Sequence, residues 1–75
     1  MSVADEIMEV RQMVLRAVDR PPRSMRCLLP PDKYYAFRRE NVAYELPMFP
    51  GRYVWRGMDI IFSDQVPEIR VEVMT

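Results

Sequence analysis

The sequence predicts an α+β fold: an N-terminal helix packed on a small, mainly antiparallel sheet, with a short second helix. Three observations carry this expectation. Apolar residues recur at helical spacing through residues 2–20, proline pairs punctuate the chain at Pro21-Pro22 and Pro30-Pro31, and hairpin-like and alternating segments fill residues 53–73. The seventy-five residues read as one domain, 1–75, near the small end of what folds unaided.

Val3, Ile7, Val10, Val14 and Ala17 follow a 4-3-4-3 spacing, and Val18 widens that stripe to the breadth a core-facing helix needs. Ser2 followed by Asp5 resembles a capping box, and Asp5, Glu6 and Glu9 crowd the positive end of the helix dipole. Pro21-Pro22 ends the helix, because the residue before a proline is pushed out of the α region. Met8, Met13 and Leu15 flank the stripe and are the candidate self-association residues, while the stripe itself is expected to lie on the sheet.

Residues 25–29 form a short apolar segment, expected to pair with the C-terminal strands. Cys27 lies inside it; with one cysteine and no histidine in the chain, a buried, inert thiol is the expectation. Pro31 suits the first position of a helix and Asp32 its first turn, so residues 33–40 read as a short helix with Tyr34 and Phe37 inward and Arg38 and Arg39 outward. A strand is the alternative there, since Tyr and Phe also favour sheets. Pro47, Pro50 and Gly51 make residues 41–52 a loop, in which Met48 and Phe49 either tuck under the sheet or offer a contact.

Around Arg56-Gly57 the chain reads as strand, two-residue turn, strand, which sets Trp55 opposite Met58 and Tyr53 opposite Ile60. Ile69-Arg70-Val71-Glu72-Val73 alternates cleanly and supplies a third strand, so the C-terminus is expected to be a β-meander. The expected core is Ile7, Val10, Val14, Val18, Leu28, Phe37, Trp55, Ile60, Phe62, Val71 and Val73.

Formal charge sums to zero but is unevenly spread. Residues 20–56 carry eight basic and three acidic residues between two acidic ends, and ten of the eleven basic residues are Arg. Arginine favours planar, bidentate contacts to carboxylate or phosphate. The expected use of this middle segment is contact with a partner protein, through Arg23, Arg26, Tyr35, Arg38, Arg39, Met48, Phe49 and Arg52. The alternative is a small nucleic-acid-binding or regulatory protein that uses the same Arg/Tyr-rich middle for phosphate pairing and base stacking.

Nucleophile–histidine arrangements are excluded, no Gly-rich phosphate loop exists, and no carboxylates show metal-ligand spacing, so no enzyme, metal or cofactor is expected. Asp59 with Asp64 is the one carboxylate pair worth naming, and Asp59 alternates away from Met58 and Ile60 toward solvent. No apolar run reaches membrane-spanning length and the acidic N-terminus is unlike a signal peptide, so the expected setting is the cytosol or an assembly made in the cytosol, without a membrane partner.

Two segments carry a resemblance. Leu28-Leu29-Pro30-Pro31-Asp32-Lys33-Tyr34-Tyr35-Ala36-Phe37-Arg38 looks like a strand running through proline into a helix. Trp55-Arg56-Gly57-Met58-Asp59-Ile60-Ile61-Phe62-Ser63-Asp64-Gln65-Val66-Pro67 couples a Gly turn to an apolar strand and a Ser-Asp-x-apolar-Pro exit. In this order they are similar to the C-terminal part of major capsid proteins of tailed phages and to small phage and prophage proteins. The chain lacks the length for the N-terminal arm, long spine helix and extended loop of a capsid subunit. The resemblance therefore implies a small accessory protein of phage or mobile-element origin, in the host cytoplasm or a virion, with no catalytic residues to carry over; self-association as a homo-oligomer or binding to a partner protein is the expected mode of action.

Overall fold

The computed structural model describes residues 2–40, 44–45 and 53–74. The elements run α1 (Val3–Ala17), β1 (Ser24–Leu29), α2 (Pro31–Glu40), β2 (Tyr44–Glu45), β3 (Tyr53–Trp55), β4 (Met58–Phe62) and β5 (Arg70–Met74). Both helices contribute to one core against one face of a five-stranded sheet of order β2-β3-β4-β1-β5. The architecture is α+β, as expected, and three of the four strand pairings are antiparallel.

Ser2 caps α1 by accepting a hydrogen bond from the Asp5 amide at 3.2 Å. The Val3 amide, one of the donors a helix start leaves open, is met by Glu40 of α2 at 3.0 Å. An acid from the second helix thus sits at the positive end of the first. α1 stops at Ala17, short of Arg20, with Val18 already extended. β-branched Val18 and Asp19 are poor helix formers beside the proline pair. Val3 and Ile7 are buried, whereas Val10 and Val14 pack half-buried against the core.

The turn at Arg56 and Gly57 takes positive φ at both residues (49° and 77°), the backbone of a two-residue hairpin loop matched to strand twist. It sets Trp55 opposite Met58 and Tyr53 opposite Ile60, the register the sequence predicts. The three C-terminal strands do not form a meander, however. β5 leaves β4 and pairs antiparallel with β1, and β1 pairs parallel with β4, so β1 is inserted between them. The cause is the connection across residues 63–69, which is too long for a tight turn and carries Pro67, a residue that cannot join a ladder as a donor. The gap it leaves is filled by β1, which bonds to a strand on each side.

Insertion of β1 sets which side chains are covered. Cys27 and Leu29 share the helix side with Met58, Ile60 and Val71, and all five are buried with Tyr34 and Phe37. Leu28, expected in the core, points to the other side and is half-buried; Val73, near the end of β5, is also half-buried, and Phe62 is exposed. The open side alternates charge along the paired strands: Asp59, Arg26 and Glu72 stand in one row, with Arg26 and Glu72 ion-paired.

Candidate functional site

Helical spacing makes the site. Along α2, Tyr34 and Phe37 turn inward and are buried, which sends Tyr35, Arg38 and Arg39 outward together. These three line one shallow hollow of about 400 Å³. Tyr35 is 55% exposed, and the two arginines occupy the last turn, where the helix dipole favours positive charge.

Beside them lies a ring cluster. Tyr34 meets Tyr35 edge to face at 5.8 Å and meets Phe62 in the same manner at 5.3 Å, while Tyr35 and Phe62 sit 6.3 Å apart. The Arg38 guanidinium lies 6.0 Å above the Tyr34 ring. Phe62 was assigned to the core by its alternation with Met58 and Ile60, yet it is 42% exposed. It is the last residue of β4, and the two α2 tyrosines cover only part of its ring. Its place just before Ser63-Asp64 was the available signal that the strand was ending.

The remaining candidate residues are scattered. Arg23 is exposed just before β1, with its amide bonded to the Met74 carbonyl. Arg26 projects from the open side of the sheet and is engaged with Glu72, so it does not join Arg38 and Arg39. Met48, Phe49 and Arg52 lie outside the described residues. On α1, Met8 and Leu15 lie two turns apart on one flank and are half-buried, whereas Met13, 67% exposed, is on the other flank. The helix does not gather the three into one patch.

A second feature joins the helices. Lys33 donates to both carboxylate oxygens of Glu6, at 3.1 and 3.0 Å, and this hydrogen bond holds the ammonium pKa above its ordinary value. Cys27 is fully buried, and burial pushes its thiol up to about 12, so it stays neutral at physiological pH. Asp59 stands half-buried on the open side, and exposed Asp64 accepts from the Gln65 side chain at 3.0 Å. Among the described residues no three His, Cys, Asp or Glu side chains gather to hold a metal, and no helix is long and apolar enough to cross a membrane.

No family model, curated protein or solved structure matches this chain. What the surface can do therefore follows from its own chemistry. Tyr and Arg are the residue types that dominate binding energy at protein interfaces, and here they share one helix face with an exposed phenyl ring.

Proposed function

We propose that the chain is a non-enzymatic interaction or structural accessory protein, of the phage or mobile-element origin its sequence resemblance implies. It acts by docking an acidic segment of a partner protein on the Tyr35, Arg38, Arg39 and Phe62 surface. The observation that supports this reading is the convergence of two exposed arginines and Tyr35 around one hollow, with the exposed Phe62 ring packed against Tyr35. Guanidinium groups would pair with carboxylates while the rings bury apolar side chains.

The nucleic-acid alternative is weaker on the geometry. Base stacking needs rings offering open faces, whereas Tyr34, Tyr35 and Phe62 pack edge to face on one another and Arg38 covers a Tyr34 face. A chain of zero net charge also lacks the diffuse field that drives phosphate binding.

The test is a chemical-shift titration of the labelled chain with a synthetic Glu-rich peptide containing Leu and Tyr, and in parallel with a single-stranded oligonucleotide. The expected result is peptide-dependent shifts centred on Tyr35, Arg38, Arg39 and Phe62 that vanish in the Arg38→Glu, Arg39→Glu double variant. Shifts at these residues with the oligonucleotide instead, falling steeply with salt, would replace this reading with the nucleic-acid one.

A further inference from the structure

We infer that two copies of this chain join through β5, edge to edge, to make one continuous sheet. This inference concerns the open edge of the sheet and is independent of the α2 surface.

Among the described residues β5 pairs with β1 on one side and with no other strand, which leaves backbone donors and acceptors along Arg70–Met74 at the sheet edge. A two-fold symmetric pairing of this strand with itself is necessarily antiparallel. It must also place helix-side residues opposite helix-side residues, so the axis passes through a residue. An axis at Arg70 sets Arg70 against itself, and one at Glu72 sets Glu72 against itself; like charges directly opposite are destabilising. An axis at Val73 sets Glu72 against Met74 and pairs no charges.

An axis at Val71 gives a different result. Arg70 of each copy then stands opposite Glu72 of the other, twice over, while Val71 meets Val71 and Ile69 meets Val73 on the helix side. Arg70 is exposed and makes no ion pair among the described residues, and Glu72 stands on the open side, ion-paired to Arg26 of β1. The row Asp59, Arg26, Glu72 alternates in sign across β4, β1 and β5, and Arg70 of the second copy continues the alternation. On the helix side, an open groove of about 320 Å³ lined by Val10, Val14, Ile69 and Val71 among others runs beside the same strand and supplies apolar surface for the seam.

Sedimentation velocity on the full chain over a range of concentrations tests this. The wild type is expected to reach a dimer at high micromolar concentration. Arg70→Glu is expected to weaken dimerisation about tenfold or more, because both cross-strand pairs become like-charged. Arg70→Lys keeps the charge opposite Glu72 and is expected to dimerise much as the wild type does. A wild type that stays monomeric overturns the inference, as does an Arg70→Glu variant that dimerises normally or an Arg70→Lys variant as impaired as Arg70→Glu. Should a variant fold poorly, amide hydrogen exchange of the wild type decides. Protection of β5 amides that rises with concentration supports the seam, and concentration-independent exchange there overturns it.

Discussion

On the helix side of the sheet Cys27, Leu29, Met58 and Ile60 are wholly withdrawn from water, while their chain neighbours Leu28 and Ile61 on the far side stay half-buried beside Arg26, Asp59, Arg70 and Glu72. The same strands therefore serve two purposes. One face holds the fold together by area removed from water; the other displays a charge pattern that costs little stability and is available for recognition. What separates Leu28 from Leu29 is only which side two short helices cover.

That contrast is sharpest when the two leucines are truncated separately. Leu29→Ala is expected to cost about 2–5 kcal/mol, a large share of the roughly 4–11 kcal/mol expected for a domain of this length. Leu28→Ala is expected to cost about 1 kcal/mol or less, because only part of its surface is buried. Denaturant midpoints measure both, and equal losses would break the contrast.

Alkaline pH probes the covered face from another direction. The Cys27 pKa is raised in the fold, so its contribution is fully present below the ordinary value of 9.0 and is lost as pH rises toward about 12. At about 1.4 kcal/mol per pKa unit the loss is bounded at about 4 kcal/mol. Lys33, whose pKa is also raised, loses its link to Glu6 in the alkaline range above its ordinary 10.5, which reinforces the trend. Thermal melts from neutral pH to pH 11 are expected to show falling stability that Cys27→Ala flattens; an unchanged slope in that variant would remove Cys27 as the cause.

A smaller effect is expected at Arg11, whose Nε is buried without a hydrogen-bond partner among the described residues. Arg11→Met keeps the length of the side chain and removes the unmet donor, so a gain of about 1 kcal/mol is expected in the same denaturant assay.

Much of this was legible from local pattern. The α1 stripe, the Pro31 helix start, the Arg56-Gly57 turn and the inward Tyr34 and Phe37 follow from periodicity and turn chemistry, which depend on near neighbours. The position of β1 was not legible, since alternation within residues 69–73 specifies a strand and leaves its neighbour open. The face of Leu28 followed from the same uncertainty, because a five-residue apolar segment does not say which parity is covered. At the surface, helical spacing placed Tyr35, Arg38 and Arg39 together, whereas Arg26 and Phe62 were assigned by composition and alternation, and each ended in a different setting.

The interior strand β1 precedes both of its neighbours in the sequence. During synthesis β1 and α2 emerge while β4 and β5 are still unmade, so the segment with the greatest need of flanking partners waits longest for them. The sheet closes only when the final strand arrives, which makes folding a late, concerted event dominated by distant pairings. A nascent chain paused before β5 would expose one side of β1 and invite pairing with another chain.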